Sequence, residues 1–488
     1  MQRKFITNLI LLLSLNLLIK PFWILGIDRS VQNLVGLEEY GFYFVVFNFS
    51  FLFNIMLDLG ITNFNNRNIA QHKQLLNKHF SGIITVRFFL AFLYVGVTFV
   101  AALINGFKGE QLYLLGWIAF NQFLLSTILY LRSNLSGLLM LRTDSLISVL
   151  DRLLMIIFCA VLLWGNVTDQ AFRIEWFVYA QTAAYVITAM IALSVVIVKA
   201  KFKRVYWNWP FFVMIVKQSL PFATLVLMMS FYNRIDPVLI QRILPDPVGD
   251  IQAGVYAEAF RLFDASNQIA YLFAVLLLPI FSHLIKNKKP IVHIVKLAFS
   301  LLFTVSVTAA ITSYFYSYEI MSLLYPERDV SESSTIFSII MFGFIAISGI
   351  YVFGTLLTAN GSLKQLNIIA AFAISLNLLI NIILIPQIQA IGSAYASLSA
   401  QWVSVIFQLI IVQRIFRFRI NIPYLASLLI FAGLVVVGAW FSRDLPFDWK
   451  INLLCMLGYA FVLAAMLRLF SIKSFISIIR ERESDLTD

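Results

Sequence analysis

The chain has 488 residues, of which 61% are hydrophobic and 12% charged, with a net charge of +12 and a mean hydropathy of +0.88. Soluble domains carry about 25% charged residues, so the composition excludes a soluble core and indicates an all-α, polytopic membrane protein. Cys159 and Cys455 sit in separate apolar stretches and the four histidines are scattered, which excludes a disulfide framework or a Cys/His metal site; no cofactor is expected.

Apolar runs of roughly 20 residues, enough to cross a bilayer, are predicted at 5–25, 41–64, 81–104, 112–131, 146–165, 175–198, 218–241, 253–282, 293–316, 334–358, 365–385, 389–412, 423–442 and 449–470. The first follows Met-Gln-Arg-Lys but leads to Lys20-Pro21-Phe22-Trp23 instead of a small-residue cleavage site, so it is expected to be retained as a span. With the N-terminus inside, about 24 of the 36 Lys and Arg residues fall in inner segments and 7 in outer ones. That bias sets orientation: both termini are expected in the cytoplasm. It also accounts for the positive charge without nucleic acid. The basic loop 199–204, with Trp207 and Trp209, reads as a headgroup anchor.

The loop before span 2 contains Val35-Gly36, Gly41 and Tyr43, and the loop before span 8 contains Val248-Gly249, Gly254 and Tyr256. Both fit V-G-x4-G-x-Y at an offset of 213 residues, and Phe47 and Phe260 also coincide. The offset superimposes spans 1–6 on spans 7–12 in the same direction. That predicts two six-helix bundles in parallel repeat, a plan with its site at the repeat interface. The expected domains are 1–200, 201–417 and a C-terminal pair of spans with a tail, 418–488.

Polar residues inside the spans are the functional candidates. On span 2, Asn48 stands at the repeat position of Arg261, and Asp58 near its end is expected to clamp to Arg67 or gate the inner mouth. Arg87, Asp151 and Arg152 are expected to pair or snorkel. The run Met228–Gln268 is the most informative. It carries Arg234 and Asp236 on span 7, and Glu258, Arg261 and Asp264, three residues apart, on span 8. That spacing puts the last three on one helix face. Charges within a span cost roughly 2.5–3.5 kcal/mol each on insertion scales and usually face a bundle interior or an aqueous cavity. The five read either as half of a polar transport cavity lined by spans 1, 2, 7 and 8, with Lys20 adding charge, or as ion pairs locking two helices together. The acidic loop 319–332 is expected to be solvated, and Pro386–Gly392 to turn into a small-residue helix face.

No loop exceeds roughly 20 residues, no phosphate-binding G-x-x-x-x-G-K-[ST] motif occurs, and no nucleophile and base group together. A transporter is expected, not an enzyme. Asp28, Glu38 and Glu39 are the nearest candidates for a lipid-sugar glycosyltransferase, and their loop is short.

The Gly-x-Tyr start of span 2, Asp58-Leu-Gly-Ile61, Pro221 followed by Arg234-Ile-Asp236, Gly254-Val-Tyr256, Arg261-Leu262, and Ile385-Pro386 before Ile391-Gly392 together resemble one family. It is the polysaccharide-unit flippase branch (Wzx-like O-antigen and exopolysaccharide translocases) of the multidrug/oligosaccharidyl-lipid/polysaccharide exporter superfamily. The resemblance implies alternating-access translocation of undecaprenyl-pyrophosphate-linked oligosaccharide across the cytoplasmic membrane, for surface polysaccharide synthesis. The lipid-linked oligosaccharide, membrane lipids and a polysaccharide polymerase are the implied partners. By position, Arg234, Arg261, Lys20 and Asn48 would bind substrate, and Asp236, Glu258 and Asp264 would orient the arginines or couple an ion. The alternative within the superfamily is a cation-coupled multidrug exporter.

Overall fold

A computed structural model describes residues 18–62 except 20, residues 65 and 69, and residues 74–469 except 139, 166–169, 201–208 and 420. No strand occurs among the described residues. Contact clustering divides the chain into two units, Met1–Gly254 and Val255–Asp488.

In the first unit a π-helical turn, Trp23–Asp28, leads into α1 (Arg29–Val35) and α2 (Leu37–Leu52). Gly36, with φ +91°, lets the chain turn between them. Next come α3 (Leu75–Ile104), α4 (Glu110–Gly137), α5 (Leu141–Trp164), α6 (Ile174–Ala200), α7 (Trp209–Arg234) and the short α8 (Asp236–Ile243). Helix α4 packs on α2, α3, α5 and α6, and α2 packs on α7 and α8. The break between α7 and α8 falls at Ile235. Pro237, in the first turn of α8, has no N–H to continue the α7 ladder, and this is the place in a helix where proline is best tolerated.

Helix α9 (Val248–Lys286) starts in the first unit and continues into the second, which also holds α10 (Val292–Phe315), α11 (Ser317–Leu324), α12 (Ser331–Ala359), α13 (Leu363–Phe416), α14 (Ile422–Arg443) and α15 (Trp449–Met466). Helix α12 is the centre of this unit: 78% of its apolar window is buried, against 22% for α14. Its glycines explain the close fit to α13. A Cβ on Gly343 would lie 2.0 Å from Gln401 Oε1, and one on Gly349 would lie 2.5 Å from Val405 Cγ2. Small residues let helices approach where no water drives them together. Helices α10, α14 and α15 share a separate core around Phe431, Val435 and Met456, while Leu429 and Phe461 remain exposed, as a hydrocarbon-facing surface would.

Ten helices among the described residues are long and apolar enough to cross a membrane. One of them, α13, has 54 residues, about 80 Å at 1.5 Å per residue, far beyond a hydrocarbon core of roughly 30 Å. Its backbone leaves helical geometry at Ile388 and Gln389, the latter at φ 51°, just after Pro386. It therefore comprises two spans joined by a sharp turn, as Pro386–Gly392 suggested. The predicted first span lies mostly outside the described residues. The second coincides with α2, whose helix gives way to a 3-10 turn at Asn54–Leu57, and the seventh coincides with α7 and α8. The chain is an all-α, multi-pass membrane protein.

The two copies of V-G-x4-G-x-Y meet each other. A Cβ on Gly41 would lie 1.9 Å from the Asp250 carbonyl oxygen, and one on Gly254 would lie 2.2 Å from that of Leu37. Residues 37 and 250, like 41 and 254, differ by the repeat offset, so the crossing of α2 and the start of α9 is reciprocal. The aromatic pair of the motif also recurs: Tyr43 and Phe47 have ring centroids 5.9 Å apart, and Tyr256 and Phe260 have theirs 5.6 Å apart.

Candidate functional site

In the first unit, Arg234 is the last residue of α7. Its guanidinium carbon lies 5.0 Å from the centroid of Phe51 on α2, a cation–π distance. Phe231, one turn earlier, meets Phe53 edge-on at 6.0 Å. Asp236 opens α8 and is fully buried. Asn48 is also fully buried, and its amide donates to Phe44 O of its own helix at 2.7 Å. Lys20 lies outside the described residues.

In the second unit, Glu258, Arg261 and Asp264 follow one another along α9. Glu258 is buried, while Arg261 and Asp264 are half-buried. Arg328 donates to Glu258 Oε1 at 2.9 Å, with side-chain exposures of 15% and 3%. This corrects the expectation for the loop 319–332: Arg328 is not a solvated loop cation but reaches into the unit to an acid of α9. The turn that carries it is tied by Asp329, which accepts from the Ser331 backbone N–H and hydroxyl, both at 3.0 Å. Those bonds hold the exposed Asp329 carboxyl below the usual carboxylate range.

Three further charge groups, buried or half-buried, lie in the first unit. Arg87 donates to Asp58 Oδ1 at 2.8 Å and to Ser126 Oγ at 2.5 Å, and its guanidinium lies 5.0 Å over the Tyr130 ring. Asp58 also accepts from the Thr62 amide. The clamp expected of Asp58 is present, but its cation is Arg87 on α3; Arg67 lies outside the described residues. Asp28, which the sequence offers only as a short-loop acid and the nearest glycosyltransferase candidate, ends the π-helical turn. It is buried, accepts from Tyr40 O–H through both oxygens at 3.0 Å, and accepts from Gln32 Nε2 at 3.4 Å. A period of twelve residues between Asp28 and Tyr40, across the Gly36 turn, gives no local signal of that bond. Arg152 lies 5.8 Å over Trp23, which stacks on Phe177, and donates to Tyr185 O–H at 3.3 Å. No group of His, Cys, Asp and Glu among the described residues could hold a metal ion.

Helices that keep carboxylates and guanidiniums buried or half-buried inside apolar spans define the class: a polytopic membrane protein with charge placed for a purpose other than solubility. The fold agrees with that class. It is similar to a structure titled lipid II flippase MurJ in an inward closed conformation, with a TM-score of 0.69 at 16% identity, covering 91% of this chain and 96% of that one. It is also similar to a multidrug resistance MATE family transporter of the MOP superfamily, inward-facing, at TM-score 0.59 and 13% identity over 80% of this chain and 94% of that one. A structure titled as the outward-facing conformation of a multidrug resistance MATE family transporter of the MOP superfamily gives 0.58 at 15% identity, covering 85% of this chain and 95% of that one. At such identities the likeness is one of fold. No curated protein matches the sequence. The profile of the polysaccharide biosynthesis protein family matches residues 6–285, more than half of the chain, and the chain belongs to that family.

Proposed function

We propose that the protein is a flippase that moves undecaprenyl-pyrophosphate-linked oligosaccharide units across the cytoplasmic membrane by alternating access, both termini lying inside, for surface polysaccharide synthesis. The observation that carries this reading is membership of a polysaccharide biosynthesis family in a chain whose fold is like that of a lipid II flippase and whose apolar helices α7 and α9 carry Arg234 and Arg261. A pyrophosphate crossing a low-dielectric region needs compensating charge, and arginine can grip it through two parallel hydrogen bonds. Arg234 and Arg261 take that role, with Lys20 and Asn48 as further contacts. Glu258, engaged by Arg328, positions α9; Asp236 and Asp264 orient the arginines. The bundles 1–200 and 201–417 would move against each other, with 418–488 beside them, and a polysaccharide polymerase would act on the delivered unit.

The test is movement of a labelled lipid-linked glycan in proteoliposomes. Arg234→Ala and Arg261→Ala are each expected to lower the rate by at least roughly tenfold, the loss of one charge-assisted contact, while folded protein is recovered in normal amount. Full activity in both would refute the site.

One feature favours a second reading, cation-coupled multidrug export. Asp28 is a buried carboxylate held by Tyr40 and Gln32, and intramembrane acids are a common element of proton relays. Under that reading an imposed proton or sodium gradient drives dye export from the same vesicles, Asp28→Asn stops it, and the lipid-linked glycan does not move.

A further inference from the structure

The first unit contains a polar cavity of about 530 Å³ lined by none of Arg234, Asp236, Glu258, Arg261 and Asp264. It lies where the turn between α3 and α4 meets the turn between α8 and α9. Lys108 comes from the first turn and Glu110 from the start of α4, Arg242 from the end of α8, Asp246 from the second turn, and Asp250 from the start of α9. Phe42 and Phe107 supply apolar wall. The α3–α4 turn lies against the end of α8, where a Cβ on Gly106 would be 3.2 Å from Arg242 Nη1, and α8 lies against the start of α9, where a Cβ on Gly249 would be 2.9 Å from Gln241 O. Gln241 Nε2 donates to Asp250 Oδ1 at 2.5 Å, which accounts for one of the acids. Lys108, Glu110, Arg242 and Asp246 enter none of the ion pairs found among the described residues.

Opposite charges that share one cavity without pairing offer donors and acceptors side by side. A bare anion would meet three carboxylates there, and a bare cation would meet Arg242 and Lys108. A neutral polyol meets neither objection. Each hydroxyl can donate to a carboxylate and accept from a guanidinium, ammonium or amide, and the C–H faces of a sugar ring pack on aromatic walls. The volume falls in the range of small-molecule sites, roughly 300–1,000 Å³. We propose that this cavity is a glycan-binding site, taking an uncharged sugar of the transported unit through its hydroxyl groups. The proposal rests on the flippase reading for the identity of the glycan. The positive-inside pattern assigns Lys108 and Arg242 to the outer side, so the site would receive the sugars after translocation.

The experiment uses the full chain in lipid nanodiscs. The probe is the repeat-unit glycan released by mild acid from the producing cell's own lipid-linked intermediates, and binding is read by saturation-transfer NMR. Sodium pyrophosphate is the competitor. The wild type is expected to bind the free glycan, pyrophosphate is expected not to displace it, and Arg242→Ala with Asp246→Asn is expected to weaken binding by at least roughly tenfold. Arg242→Lys with Asp246→Glu, which keeps both charges, guards against loss through misfolding and is expected to bind more tightly than that pair. Equal affinity in the wild type and the Arg242→Ala, Asp246→Asn protein would overturn the site, as would displacement by pyrophosphate or no binding by the wild type. Proteoliposomes separate the two proposals. Glycan binding that depends on these residues, without movement of the lipid-linked unit, sinks the flippase and leaves the cavity; normal movement without such binding does the reverse.

Discussion

The two copies of V-G-x4-G-x-Y share a glycine crossing and an aromatic pair but differ in local backbone, Gly36 turning at φ +91° where Gly249 lies within α9, and in the charge they carry. Both bring a glycine into a reciprocal helix crossing, and both follow it with the same tyrosine–phenylalanine pair. Beyond that pair they part. Where the second copy has Glu258, Arg261 and Asp264, the first has Val45, Asn48 and Phe51 at the same offset. Val45 and Asn48 are fully buried, and Asn48 donates its amide N–H to Phe44 O of its own helix while its Oδ1 has no hydrogen-bond partner, whereas Glu258 draws Arg328 in from another element. The glycines answer to geometry, which the repeat preserves. The side chains one and two turns further on answer to what each copy must hold, and only one copy holds charge.

The largest effect is expected at the crossing. Gly41→Ala or Gly254→Ala drives a methyl group into a backbone carbonyl; because backbone and not a side chain must move, the cost is expected to exceed both ordinary overpacking, roughly 1–3 kcal/mol, and the loss of one partner of a buried ion pair. Either change should abolish monodisperse protein on gel filtration in detergent or lower the midpoint of thermal unfolding markedly. Gly433→Ala, where a Cβ would have nothing within 4 Å, should be neutral. A Gly41→Ala protein as stable as Gly433→Ala would mean the two copies do not touch.

The next effect concerns the charge carried by one copy alone. Arg328→Ala leaves Glu258 buried without its cation and should destabilise by about 3–5 kcal/mol. Glu258→Val combined with Arg328→Met gives the second copy the apolar residue found in the first, and should recover most of that loss, because a buried pair replaced by packed apolar groups is often neutral. Thermal unfolding of the single and double variants checks both. A double variant as unstable as Arg328→Ala would show that the pair does more than satisfy itself.

The smallest effect belongs to the neutral copy. Asn48→Ala removes one intrahelical hydrogen bond and should cost about 1 kcal/mol, read in the same melts. A loss as large as that of Arg328→Ala would place Asn48 in a network shared with other groups, and the contrast between the copies would weaken.

The Asp58 clamp shows how far a sequence argument reaches inside a membrane. That Asp58 would clamp or gate followed from its place at the end of span 2; that it pairs with Arg87, on the next helix, followed from rotation about the helix axis, which no spacing reveals. Asp28 was obscured by its position before a glycine turn, and Arg328 by a loop that looked acidic and wet. The cavity with Arg242 and Lys108 had no linear signature, since its two turns are more than a hundred residues apart in the chain.

Composition, span length and charge bias were enough to establish an all-α membrane protein, because hydrocarbon demands helices whose backbone groups satisfy themselves. The offset motif pointed to a repeat for a similar reason: a glycine required by close backbone approach stays visible in the letters. Which acid meets which base was decided only by tertiary structure. A charge buried in an apolar layer needs a partner within a few ångströms, and helix packing, not chain order, determines what stands there.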